Sequence, residues 1–167
     1  RLLEGPVPKW KAFGPTGTGN GGRSTSYGLP RFRQAQFESR FPFGKIALTD
    51  PEMPVDVSLS GWNPFTPGIE DDSSLPVCAI EYSFTNTTDE TIEAVFSFHS
   101  ENMCGTNASK DVSVAAVAGG FAFSNPGSAE APWDESGFAA FTDAPGTVAD
   151  CAWFRGGWFD PLTMVWR

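Results

Sequence analysis

Eighteen glycines and 14 prolines punctuate this chain of 167 residues so densely that few stretches leave room for a helix. The gaps between them read as short strands. In Val55 to Ser60, the apolar Val55, Val57 and Leu59 alternate with Asp56, Ser58 and Ser60, the two-residue period of a half-buried strand. Val77 to Cys104 holds neither Gly nor Pro, so a long helix competes there. Its β-branched and aromatic content, with the same period of two, favours strands. Cys78, Ile80, Tyr82 and Phe84 form one apolar series, Asn86 to Glu90 supplies turn residues, and Ile92, Ala94, Phe96 and Phe98 form a second. That pattern predicts an antiparallel hairpin. Further strands are expected near Arg33 to Glu38, Val112 to Phe123, Phe138 to Thr142 and Val148 to Phe154. About seven strands between turns rich in Gly, Pro, Asn and Asp predict an all-β fold, an antiparallel two-layer β-sandwich.

Hydrophobic residues make up 40% of the chain and charged residues 19%, a composition able to bury a core in one domain of this length. No apolar run approaches the roughly 20 residues of a membrane-spanning helix. The net charge of −9 is unevenly spread: residues 1 to 49 sum to +6 and residues 50 to 167 to −15. A mostly acidic body excludes nucleic acid as a partner, since phosphates require clustered cations. The basic residues Lys9, Lys11, Arg23, Arg31, Arg33, Arg40 and Lys45 are expected to lie against the acidic remainder of the same molecule, with an acidic partner as the alternative.

The cysteines, Cys78, Cys104 and Cys151, are three and widely spaced, and His99 is the single histidine. This excludes the usual zinc spacings and leaves open a disulfide between any two. The N-x-S/T motif occurs at Asn86 and Asn107.

Four groups of residues invite a chemical reading. Gly17-Thr18-Gly19-Asn20-Gly21-Gly22 is formally a GxGxxG. A dinucleotide loop needs a strand before it and a helix after it, whereas Pro15 precedes this one and Gly28 and Pro30 follow. A glycine turn is the better reading. Glu70, Asp71 and Asp72 are the densest carboxylates. Neighbours on one loop splay apart and make a poor glycosidase pair, which must face each other across the sugar. Capping of a turn is expected of this acidic-serine stretch, ahead of calcium binding or catalysis. His99 with Ser100 and Glu101 suggests a triad, but no GxSxG elbow accompanies it. Finally, six tryptophans (Trp10, Trp62, Trp133, Trp153, Trp158 and Trp166) suit either a packed core or stacking on sugar rings. Trp62, inside Gly61-Trp62-Asn63-Pro64-Phe65, is the candidate for partial exposure and sugar contact, although packing is the better reading even there. No catalytic, metal-binding or cofactor-binding residue is assigned, and no cofactor is expected.

In order along the chain stand Phe41-Pro42-Phe43, Asp50-Pro51-Glu52-Met53-Pro54-Val55, Asn63-Pro64-Phe65-Thr66-Pro67 and Asp72-Ser73-Ser74-Leu75-Pro76, with a weaker echo in Ala152 to Asp160. Together they resemble the N-terminal domain of glycoside hydrolase family 116, which includes non-lysosomal glucosylceramidases and bacterial beta-glucosidases. The resemblance implies a β-sandwich followed by an (α/α) barrel, in a retaining β-glycosidase whose glutamate nucleophile and aspartate acid sit on that barrel. Nothing in this chain resembles the barrel, so no catalytic residue is carried over. The implied partners are the C-terminal catalytic domain of the same polypeptide and, through it, a glycoside substrate. A stand-alone carbohydrate-binding sandwich is the alternative.

The expected organisation is a Gly-rich basic segment at 1–40, a sandwich core at 41–160 and the start of a helix at 161–167. Asp160-Pro161 has the form of an N-cap followed by Pro at the first helical position, and Leu162, Val165 and Trp166 share one helical face. With no initiator Met at Arg1 and a helix cut short at Arg167, a fragment is expected.

Overall fold

The structure, a computed structural model, describes residues 1–6, 30–105 and 111–151. The GxGxxG stretch, Lys9, Lys11, Arg23, Asn107, four of the tryptophans, the Ala152 to Asp160 echo and the expected helix after Asp160 lie outside the described residues. The described chain is all-β: it forms two antiparallel sheets and almost no helix, consistent with a β-sandwich. It divides into two compact units, one built on Arg1–Ala94 and one on Val95–Gly157.

The first unit holds a four-stranded sheet in sequential order, β1 Gln34–Arg40, β2 Phe43–Thr49, β3 Val55–Trp62 and β4 Ala79–Asn86. A two-residue turn at Phe41 and Pro42 joins β1 to β2, with Arg40 facing Phe43. The period of two then decides the faces. Leu48 faces Val57 and Ile46 faces Leu59 across β2 and β3, which puts all four on one side of the sheet. On that side Phe32, Leu48 and Val57 are 2%, 1% and 4% exposed, and Leu3, Ile46, Met53, Val55 and Leu59 pack around them. Each fully buried side chain of this kind stabilises the fold by roughly 1.5–3 kcal/mol. The same face continues onto β4, where Phe84 stands opposite Val57 and Tyr82 opposite Leu59.

Residues at the chain start lock against this core. Leu2 N–H donates to the Pro30 carbonyl and Phe32 N–H to the Glu4 carbonyl, both at 2.9 Å. Asp50 turns the chain between β2 and β3. Its Oδ1 accepts the Glu52 N–H at 3.0 Å, and its backbone carbonyl accepts the Met53 N–H at 2.9 Å, a turn closed by the side chain's own oxygen.

The second unit contains β5 Ser113–Val117, β6 Gly120–Asn125 and β7 Ser136–Phe141. Phe123, buried on β6, lies directly opposite Phe138, their centroids 5.7 Å apart in a near-parallel stack at 27°. Phe121, two residues before it on the same face, is 5.1 Å away. Asn125 is buried as well, and both ends of its amide are used. Nδ2 donates to the Cys104 carbonyl at 2.9 Å, and Oδ1 accepts the Gly127 N–H at 3.1 Å, as a buried polar group must.

Three expectations from sequence are corrected. The hairpin pairing Cys78 to Phe84 with Ile92 to Phe98 does not form. Its turn is present, since Asn86 Nδ2 donates to the Glu90 carbonyl at 2.7 Å and Asn86 Oδ1 accepts the Thr88 N–H at 2.8 Å. β4, however, pairs with β3, and Ile92 to Phe98 forms no strand. Phe98 instead lies against Phe121, centroids 6.3 Å apart, so its apolar surface is used inside the second unit. Next, Val112 to Phe123 is two strands rather than one. Gly119, with φ of 71°, takes the left-handed conformation that reverses the chain. Finally, Val148 to Cys151 forms no strand. β1, β3 and β7 lie close to where alternation places them, and β2 appears where Gly44 and Ala47 dilute the pattern.

Candidate functional site

The outward face of the first sheet carries the residue singled out for sugar contact. Trp62 ends β3 rather than standing in a free turn, and it faces Phe43 on β2 and Ala79 on β4. The Phe43 and Trp62 rings are 6.2 Å apart and tilted at 43°, within the range of a favourable aromatic pair. Trp62 is half-buried and Phe43 is 45% exposed. A second pair, Phe41 and Phe65, meets edge to face at 4.8 Å. Sequence reasoning missed Phe43 as the neighbour of Trp62. The signal that finds it is the register of β2 on β3, which sets Phe43 opposite Trp62.

One row further along the same face, Glu38, Lys45, Ser60 and Glu81 stand side by side across the four strands. Residues directly opposite in antiparallel strands share a face. No ion pair holds Glu38, Arg40, Lys45 or Glu81 among the described residues. Their hydrogen-bonding groups face solvent.

At the β2–β3 corner the basic start of the chain meets acidic residues. Arg1 Nε lies 3.3 Å from Asp50 Oδ2, and Arg33 Nε lies 3.9 Å from Asp50 Oδ1. The same two arginines pair with Glu52, and Arg31 pairs with Glu4 at 2.8 Å. Of the basic residues expected to lie against the acidic remainder, Arg33 does so, and Arg1 joins it; Arg31 pairs instead with Glu4 inside the basic segment, and Arg40 and Lys45 form no ion pair among the described residues. A hollow of about 290 Å³ lies nearby, lined by Gln34, Thr49, Asp50, Met53, Asp56 and Thr87 among others. The Asp50 side chain has no exposed surface, and its carboxylate braces the corner.

Glu70, Asp71 and Asp72 sit exposed on a four-residue helix, α1 Glu70–Ser73. The capping of this turn falls to serines. Ser73 Oγ accepts the Thr66 N–H at 3.1 Å and lies 2.9 Å from the Ile69 carbonyl, and Ser74 Oγ donates to the Asp71 carbonyl at 3.2 Å. The three carboxylates complement the positive end of the helix dipole and face water. His99 Nε2 lies 2.7 Å from Ser97 Oγ, and desolvation holds the imidazole below its ordinary pKa. Ser97, not Ser100, is its hydroxyl neighbour. All three cysteines are free. Among the described residues no group of three His, Cys, Asp or Glu side chains is placed to hold a metal ion, and no helix is long and apolar enough to cross a membrane.

No curated protein matches the chain. The family model described as beta-glucosidase 2, glycosyl-hydrolase family 116 N-term, matches residues 4–134, which takes in β1 to β6 and extends well past the motifs between Phe41 and Pro76 that carry the resemblance. The Ala152 to Asp160 echo falls outside the match. With the match covering most of its length, the chain belongs to the glycosyl-hydrolase family 116 N-terminal domain family.

Proposed function

We propose that this chain is the non-catalytic N-terminal β-sandwich portion of a retaining β-glycosidase, glucosylceramidase- or beta-glucosidase-like, and that it supports an (α/α) barrel catalytic domain carried by the same polypeptide. The family match over residues 4–134 carries this reading. The carboxylates add to it. The densest group, Glu70 to Asp72, is consecutive on one exposed turn, whereas glycoside hydrolysis needs two carboxyl groups facing each other about 5–9.5 Å apart. Substrate reaches the protein through the barrel.

The test is an assay of this chain alone on an aryl β-glucoside. No turnover above a buffer blank is expected. Hydrolysis that disappears in an Asp71→Asn, Asp72→Asn variant would overturn the reading.

One observation favours a second reading, a carbohydrate-binding module with Trp62 as its sugar contact. Trp62 is half-buried and paired with the more exposed Phe43, so aromatic surface is left accessible.

A further inference from the structure

We infer that two neighbouring cross-strand rows on the outward face of the first sheet form a platform for an uncharged, β-linked sugar chain. Phe43 and Trp62 supply the stacking surface, and Glu38, Lys45 and Glu81 supply the groups that bond hydroxyls. The inference rests on the glycosidase reading for the choice of a β-linked ligand; the platform itself follows from the register.

The chemistry of the rows selects the ligand. An aromatic ring presents a negative face, and the C–H bonds on one side of a pyranose present weakly positive hydrogens to it. The two rings are neighbours because Phe43 and Trp62 are ladder partners on adjacent strands. Beside them, Glu38 and Lys45 are ladder partners and Ser60 faces Glu81. Acceptors and a donor are thus spread across strands about 4.8 Å apart, a spacing close to one sugar unit. A few placed polar groups beside an apolar surface are what orient a small neutral ligand.

Charge disfavours a polyanion. Arg40 and Lys45 are balanced by Glu38 and Glu81, so these four side chains sum to zero. A nucleic acid or an anionic membrane surface would require a cationic excess here. A neutral polyol meets no such penalty, and the mixed charges match its mixed donors and acceptors.

Calorimetric titration of the whole chain with cellopentaose tests the platform. Saturable binding is expected. Trp62→Ala should weaken association by about tenfold or more, the equivalent of one lost aromatic contact. Trp62→Phe, which keeps a ring against Phe43, should lose less and guards against misfolding of the alanine variant. Glu38→Gln with Glu81→Gln should weaken binding by about threefold. Trp133→Ala, at a tryptophan 77% exposed in the second unit, should bind as the parent does. Absence of binding, or equal binding by a folded Trp62→Ala variant, would overturn the platform and leave the aromatic end to a protein partner. Hydrolysis of an aryl β-glucoside by this chain is a separate readout: it would sink the non-catalytic reading while leaving the titration result standing.

Discussion

Leu48 and Val57 stand directly opposite each other on neighbouring antiparallel strands and are both buried, at 1% and 4% exposure. With Phe32 they are the centre of the first unit's core. So few fully buried apolar side chains make each one count. Leu48→Ala is expected to cost about 2–5 kcal/mol, since the neighbours Ile46, Val55 and Leu59 sit on strands that cannot collapse into the void. Urea unfolding followed by circular dichroism measures it. A loss under about 1 kcal/mol would mean this core does not hold the unit together.

Asp50 ties the corner between β2 and β3 to the start of the chain. Asp50→Ala removes the turn oxygen that accepts the Glu52 N–H and leaves Arg1 and Arg33 without their buried anion. The arginines are partly exposed, so water takes over some of the loss. A cost of roughly 1–3 kcal/mol is expected. Asp50→Asn keeps the turn acceptor and should lose less. Equal loss in both variants would show that charge, not the turn bond, is what matters.

Gly119 and Gly120 make the β5–β6 reversal possible. A side chain at Gly119 would be forced into a left-handed backbone, and its Cβ would overlap the Thr142 carbonyl; one at Gly120 would overlap the Ala140 carbonyl. Gly119→Ala should therefore destabilise the second unit by at least about 1 kcal/mol, and Gly120→Val should prevent β7 from pairing with β6. Amide exchange of β6 and β7 reads this directly. Unchanged protection in both variants would refute it.

Protonation of His99 is expected to oppose folding. Desolvation lowers its pKa in the folded chain, so below the unfolded value of about 6.5 the unfolded chain takes up a proton more readily. The contribution is fully present above that pH and is lost as the pH falls from there through the lower folded-state value. Tyr82, raised by desolvation, acts at the other end: its contribution is present below a pH of about 10 and is lost above it. Melting temperatures across pH 5 to 7, compared with His99→Gln, isolate the first effect. A histidine C–H resonance titrating at or above 6.5 would contradict it.

Local pattern was the legible part. The alternation of Val55, Val57 and Leu59 placed β3, and Asn86 and Thr88 closed their turn as turn residues do. What alternation does not encode is the partner. Ile92, Ala94, Phe96 and Phe98 alternate as well as β3 does, yet Phe98 is drawn to Phe121 across 23 residues, and no ladder forms. The sugar-contact candidate followed the same division. Trp62 stood out as an aromatic among turn residues, but Phe43, its neighbour, lies 19 positions earlier and becomes adjacent only through the register of β2 on β3.

By itself the sequence determined the all-β class and the main turns, because glycine, proline and side-chain alternation act on the backbone within a few residues of where they stand. Tertiary structure decided which strands pair, which arginines meet Asp50 and which side chains share the outward face of the first sheet. Those outcomes depend on contacts between residues far apart in the chain, where hydrophobic burial and ladder register outweigh any local preference.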